Sequence, residues 1–230
     1  MKGFNLIKRL WCNKIFKIKD KSIKGVHNMD LKVTNNLPNV QVLVNQNADG
    51  TVAIILNAKT GKALGEYKPG ETVILGEREY IVLGHSGDAT ALITKDVVKT
   101  MEFGKTADYG KSYVRDYCNK EFYKELSSAA GKENIIPHTV NLMCDDGSNK
   151  GVVCKDNVSI ITLANYRRYR EFLPALGKSI WTATGVTVLD KDYSRCVCCV
   201  YSLGVPNWNG CGYSGGVRPF CILKSSVLVA

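Results

Sequence analysis

Histidine is scarce in this sequence, and its scarcity limits the catalytic and metal sites that the chain can form. The 230 residues include only three histidines, at His27, His85 and His138. None of them is near residues 194–223 in the sequence, where five of the nine cysteines lie. A thiol nucleophile needs a basic partner that lowers its pKa. The histidine content therefore favours a protein that is not an enzyme and uses no cofactor.

The cysteines lack the spacing of a structural zinc site. Cys196, Cys198 and Cys199 are adjacent or one residue apart, whereas zinc-binding pairs usually lie about two to four residues apart. In a strand the first two point to one face and the third to the other, so they do not converge on one ion. An odd number of cysteines without a secretion signal favours free thiols. We predict apolar strand residues and no metal, with a cysteine-dependent or metal enzyme as an alternative if the fold brings a base close.

Long apolar runs are also absent. No segment approaches the roughly 18 apolar residues of a membrane span, and the beginning of the chain lacks the continuous apolar core of a signal peptide. We therefore expect no transmembrane segment and no secretion by a signal peptide. The expected location is the cytoplasm of a host cell, or a virion assembled there.

Acidic residues are nearly missing from the beginning of the chain, where the positive charge is concentrated. Of the net charge of +10, most falls in residues 1–28, which hold eight basic residues and one acid. An apolar stripe at helical spacing runs through this basic leader, so it can contact a membrane surface, a partner groove or phosphates, or pack on its own domain. The basic residues that we assign to nucleic-acid or partner contact here are Lys8, Arg9, Lys14 and Lys17.

The chain then changes to short β-branched and aliphatic runs separated by turn residues. Residues 40–44 and 52–56 predict a hairpin within an N-terminal β-hairpin region at 29–70, and residues 73–75, 80–83 and 89–94 predict further strands. Ser112 is a typical N-cap for a helix that ends near Ala129 before Gly131, and Thr162 caps a second helix that reaches Phe172. The pattern predicts an α+β domain at 71–230 with two main helices and short antiparallel strands.

The second helix carries arginines interleaved with tyrosines. Such a pattern can stack bases and hold phosphates, so Arg167, Arg168 and Arg170 are candidate nucleic-acid or partner contacts. Charge runs of this length are more often a solvated helix face whose aromatic rings turn to the core. Both interpretations stay open on the sequence alone.

The C-terminal region predicts a strand at 197–201, a long exposed loop at 203–216 and a closing strand at 217–223. The loop is rich in glycine, asparagine and aromatic residues, which supply contact area on a recognition surface at little entropic cost. Trp208 folding under the loop as a local core is the alternative. The candidate ligand-binding residues are Asn207, Trp208, Asn209 and Tyr213.

Several segments between residues 71 and 229 carry a resemblance, among them ETVILGEREYIVLGH, VSIITLANYRRYREFLP, WTATGVT and GVRPFCILKSSVLV. Their order resembles a domain family of unassigned function in gut bacteria, their prophages and phages. That family is similar in its terminal Trp, loop and Gly-Val-Arg-Pro pattern to C-type-lectin-like domains of the formylglycine-generating-enzyme type, and to variable ligand-binding proteins of phages and retroelements. The resemblance implies a C-type-lectin-like fold at 71–230, with the variable stretch at about 193–214.

Two residues of this pattern are assigned structural roles, Trp181 and Arg218. An arginine at the start of the last strand can pair with a carboxylate and fix the preceding loop. The resulting hypothesis is a non-enzymatic binding module of a phage or mobile element that recognises a protein or glycan through the aromatic loop. The alternative is an intracellular antagonist or regulator of a host defence complex, acting through the basic leader and the arginines of the second helix.

Overall fold

The structure is a computed structural model, and it describes residues 40–46, 52–58 and 61–229. The predicted basic leader, with Lys8, Arg9, Lys14 and Lys17, lies outside the described residues. The chain divides into two compact units between Thr60 and Gly61. Residues 61–70 therefore belong to the larger unit, whereas the sequence placed the boundary after Gly70.

The smaller unit contains the predicted hairpin. Strand β1 (Val40–Gln46) pairs antiparallel with β2 (Val52–Ala58), in a register that runs from Val40 opposite Ala58 to Gln46 opposite Val52. The prediction of a hairpin in this region is confirmed.

The larger unit is built mainly from antiparallel strands. In chain order they are β3 (Lys62–Ala63), β4 (Thr72–Leu75), β5 (Arg78–Ser86), β6 (Ala89–Thr94), β7 (Lys99–Glu102), β8 (His138–Asn141), β9 (Val153–Asp156), β10 (Val158–Ile160), β11 (Ile180–Gly185), β12 (Cys196–Val200), β13 (Pro206–Gly210), β14 (Ser214–Val217), β15 (Pro219–Lys224) and β16 (Leu228–Val229). Sheet 1 has the order β10-β15-β6-β5-β4, and sheet 2 has the order β13-β12-β11-β14-β7. Only β11 and β14 pair parallel, and β8–β9 and β3–β16 form separate two-stranded pairs.

Two helices pack on the sheets. Helix α1 covers residues 113–130, with a π-helical turn at Cys118–Phe122. The Ser112 hydroxyl accepts from Arg115 N at 3.0 Å, and Gly131 ends the helix with a φ of 86°, a conformation that favours glycine. Helix α2 (Leu163–Arg168) begins at the predicted Thr162 cap and continues as a 3₁₀ turn at Arg170–Phe172. No helix in the described ranges has the length and apolar character needed to cross a membrane.

The core has two parts that lie on opposite faces of the sheets. The first contains the buried side of α1 together with Trp181, Val197 and Cys199. The second contains the buried side of α2 together with Ile180 and Cys198. Because neighbouring strand residues point to opposite faces, β11 and β12 contribute to both parts, and the continuous apolar character of these strands follows from this burial.

Two short connections lead directly from a strand of one sheet to a strand of the other. Residues 95–98 connect β6 of sheet 1 to β7 of sheet 2, and Arg218 alone connects β14 of sheet 2 to β15 of sheet 1. The two crossing segments run side by side, since β14 pairs with β7 and β15 pairs with β6. The structure is therefore α+β, as predicted from the sequence, with two sheets joined along this seam.

The prediction of an exposed loop at 203–216 was wrong in its secondary structure, because this segment supplies β13 and most of β14 in sheet 2. The ladder joins Cys199 to Asn207 and Cys198 to Trp208, and Gly216 pairs with Thr100. Glycine and asparagine are uncommon in strands, so local composition indicated a loop where long-range pairing forms a sheet.

Candidate functional site

Three of the predicted ligand-binding residues, Asn207, Trp208 and Asn209, lie on β13, an edge strand of sheet 2, and Tyr213 lies in the turn between β13 and β14. The Trp208 side chain is 46% exposed and the Tyr213 side chain is 66% exposed. The Trp208 ring also contacts Tyr193, with ring centroids 5.2 Å apart and planes at 89°. An edge-to-face contact of this kind fixes the orientation of both rings. The alternative in which Trp208 forms a local core under the loop is wrong.

The three rings share one face of the edge strand. Trp208 and Gly210 are two residues apart, so their Cα–Cβ directions point to the same side. A Cβ atom at Gly210 would lie 3.2 Å from ring atoms of Tyr213, so the Tyr213 ring covers Gly210 on that side. Tyr193, Trp208 and Tyr213 thus form a continuous surface, which we call the aromatic row.

The backbone of β13 alternates between the neighbouring strand and the open edge. Tyr201 N donates to Val205 O and Cys211 N donates to Arg195 O, both at 2.9 Å. In an antiparallel ladder, alternate residues of a strand make these bonds. The backbone N–H and C=O groups of the odd-numbered residues of β13 therefore point toward β12, and those of the even-numbered residues point away from the sheet. The outward positions are those of Pro206, Trp208 and Gly210.

None of the three outward positions presents a free N–H group. Pro206 has no N–H, Trp208 N donates to Asn207 Oδ1 at 2.8 Å, and Gly210 N donates to Asn209 Oδ1 at 2.9 Å. Exposed edge donors invite pairing with another chain, and proteins suppress this in several ways. Asn207 and Asn209 therefore cap the edge, a role that the sequence analysis missed although the alternation Pro-Asn-Trp-Asn-Gly signals it.

Replacing Asn207 and Asn209 with valine frees the N–H groups of Trp208 and Gly210. Valine also raises the β propensity of the strand. We expect the N207V/N209V chain to self-associate as its concentration rises, measured by sedimentation velocity, while the wild-type chain does not change over the same range. Aspartate at both positions keeps an acceptor oxygen in the same place and is the matched control. A valine variant that sediments like the wild type would show that the caps do not protect the edge.

The cysteines of β12 behave as apolar strand residues. Cys198 and Cys199 point into opposite core parts, as predicted from the strand alternation. Burial raises the pKa of Cys198 to about 12 and that of Cys199 to about 11, which keeps both thiols protonated at neutral pH. Among the residues that the structure describes, no group of three or more His, Cys, Asp or Glu side chains forms a metal site.

The arginines of the second helix have separate surroundings. Arg167 donates to Asp145 Oδ1 at 3.0 Å, and Arg170 donates to Leu173 O at 2.7 Å. The Arg168 guanidinium lies 5.3 Å from the centroid of the Tyr169 ring. Two of the three are therefore engaged within the fold, and only Arg168 lines a cleft.

Trp181 lies in the core, and its Nε1 donates to Met101 O at 3.0 Å. Arg218 is 1% exposed, and its guanidinium donates to Thr94 O at 2.6 Å and to Lys95 O at 3.0 Å. The acceptors are thus backbone carbonyls instead of the expected carboxylate, because the seam brings the end of β6 against Arg218. Burial lowers the pKa of Arg218 to about 10, so the guanidinium stays charged at neutral pH.

A pair formed by the partly buried His138 and the buried Ser159 was not predicted. His138 Nε2 and Ser159 Oγ lie 2.8 Å apart, and burial lowers the pKa of His138 despite the opposing charge of Asp156. The Nδ1 atom of His138 is buried without a hydrogen-bond partner among the described residues. A catalytic histidine is normally oriented by a carboxylate at that second nitrogen, and no described carboxylate accepts a hydrogen bond from Nδ1.

His85 holds two segments together. Its Nε2 lies 2.7 Å from Tyr67 O, and its Nδ1 lies 2.9 Å from Thr90 Oγ1. Because a carbonyl can only accept, Nε2 carries a proton. His85 therefore has a structural role, joining Tyr67 to strand β6.

No protein-family model, curated protein or solved structure matches this chain.

Proposed function

We propose that the chain is a non-enzymatic binding module that recognises a protein or glycan through the aromatic row. The observation that carries this proposal is the exposure of Trp208 on a strand of sheet 2 and of Tyr213 in the short turn that follows it. Exposed Trp and Tyr rings on a rigid element are typical of interface hot spots, because they bury a large area with few rotatable bonds.

The segments that lead into β12 and β13 favour a protein over a glycan as the ligand. Several exposed aliphatic side chains lie in the turns that precede β12 and β13, namely Val188, Leu189, Leu203 and Val205. Exposed apolar side chains beside aromatic ones are typical of protein interfaces. We infer that the ligand contacts these side chains together with the rings.

Strand addition is disfavoured as the mode of binding. The caps occupy the outward N–H groups of β13, Trp208 O accepts from the Tyr201 hydroxyl at 3.4 Å, and Gly210 O accepts from Tyr213 N at 3.0 Å. A peptide that added to this edge would have to displace these bonds first. Recognition by side chains requires no such displacement.

The non-enzymatic part of the proposal is supported by the chemistry of the described thiols and of the histidine–serine pair. Burial raises the pKa of Cys196, Cys198 and Cys199, and a protonated thiol is a poor nucleophile. No described carboxylate accepts a hydrogen bond from His138 Nδ1.

The test uses the full chain on an array of purified proteins and on a glycan array. For a ligand found there, we expect W208A to weaken binding roughly thirtyfold, the ~2 kcal/mol of an interface hot spot, and Y213A to weaken it less. Tyr113, which is 39% exposed on α1, provides the matched control, and Y113A should bind like the wild type. A ligand bound equally well by the wild type, W208A and Y213A would refute the assignment of the row.

A further inference from the structure

A cleft of about 600 Å³ lies on the face of sheet 1, beside α2 and β8. Its volume falls within the roughly 300–1,000 Å³ of small-molecule sites. Apolar side chains from the strands line its floor, namely Leu83, Ala91, Phe220 and Ile222. These side chains continue the core part that α2 covers, so the cleft begins where the helix no longer shields the sheet.

The rim of the cleft is polar and carries no acid. Its polar lining includes Ser86, Asn141, Asn165 and Arg168, and no Asp or Glu lines the cleft. Asn165 and Arg168 are three residues apart on α2 and therefore lie on the same side of the helix. Within the described ranges, Arg168 belongs to none of the ion pairs.

The wall opposite α2 is held in place by His138. Its ring meets Phe220 edge to face, with centroids 5.1 Å apart and planes at 80°, and its Nε2 is paired with Ser159. Burial lowers the pKa of His138, which favours the neutral ring at pH 7. This histidine therefore positions the aromatic floor, and Arg168 supplies the charge that selects a ligand.

We propose that this cleft binds a small organic anion, whose apolar body lies on Phe220 and Ile222 and whose carboxylate or phosphate group pairs with Arg168. The planar guanidinium matches either head group through two parallel hydrogen bonds. The apolar floor selects against inorganic anions, and the lack of acids on the rim removes the repulsion that an anion would otherwise meet. This site is independent of the aromatic row, which lies on sheet 2.

Three probes with the same ring test the proposal: 1-naphthoate, 1-naphthyl phosphate and 1-naphthalenemethanol, each titrated into the full chain by calorimetry. We expect one or both anions to bind at least about tenfold more tightly than the alcohol, a difference of one decade in Kd. Comparison of the two anions distinguishes a carboxylate from a phosphate ligand.

Two variants locate the binding. R168Q should remove the preference for the anions, whereas R167Q should keep it, because Arg167 pairs with Asp145 outside the cleft. A91L narrows the floor without changing charge and should weaken all three probes, with circular dichroism to verify that each variant is folded. The proposal is overturned if no probe saturates below about 10 mM, if anion and alcohol bind equally, or if R168Q retains the preference.

Discussion

Replacing Arg218 with methionine is expected to lower the free energy of unfolding by about 3 kcal/mol, because one buried and one partly buried carbonyl lose their donors at about 1–3 kcal/mol each. The acceptors are Thr94 O and Lys95 O, at the point where β6 leaves sheet 1. Methionine fills most of the space, so the loss reports mainly on the hydrogen bonds. The substitution also removes the cost of burying the Arg218 charge, and this offsets part of the lost stability.

Urea denaturation at neutral pH measures this effect. R218K keeps the positive charge and an ammonium donor but not the planar guanidinium that reaches both carbonyls. We therefore expect R218K to lose about half as much stability as R218M. R167M is the surface control, since exposed ion pairs contribute only about 0–1 kcal/mol. If R218M unfolds at the same urea concentration as the wild type, the guanidinium does not hold the seam.

The second large effect is expected at Gly215, where alanine should cost about 2–3 kcal/mol through overpacking. A Cβ atom there would lie 2.6 Å from Trp181 Cε2 and 2.7 Å from its Nε1. The indole cannot retreat easily, because it is buried, packs edge to face on Phe103 at 5.6 Å, and donates to Met101 O. Displacing the ring would therefore lose that hydrogen bond as well.

Gly212 supplies the control for this prediction. A Cβ atom at Gly212 meets nothing within 4 Å, so G212A should change the unfolding free energy by less than about 0.5 kcal/mol. W181F shortens the ring system, and in the G215A/W181F double variant part of the loss should be recovered, giving a coupling energy of about 0.5–3 kcal/mol. Equal stabilities of G215A and G212A would contradict the close approach.

Local signals in the sequence predicted the elements that depend on local chemistry. Helix α1 was predicted from the Ser112 cap and the Gly131 stop. Strands β5 and β6 were predicted from two aliphatic runs separated by turn residues. In both cases the determining residues lie within a few positions of one another.

Features that depend on distant residues were not predicted. Arg218 contacts Thr94 across 124 positions, and His138 contacts Ser159 across 21, so no spacing rule reveals either pair. The cleft of Arg168 combines α2 with strands from separate parts of the chain, which sequence patterns alone do not bring together. The exposure of Trp208 was anticipated, but the asparagine caps beside it required the ladder register to be known.

The strand order has a consequence for synthesis. Strand β14 lies between β11 and β7, and β15 lies between β10 and β6, yet these two strands follow every other member of their sheets in the chain. Each sheet is therefore completed by an interior strand that is synthesised after all of its other strands. Until Lys224 has left the ribosome, the nascent domain exposes unpaired inner edges, and chaperone protection is needed most in that interval.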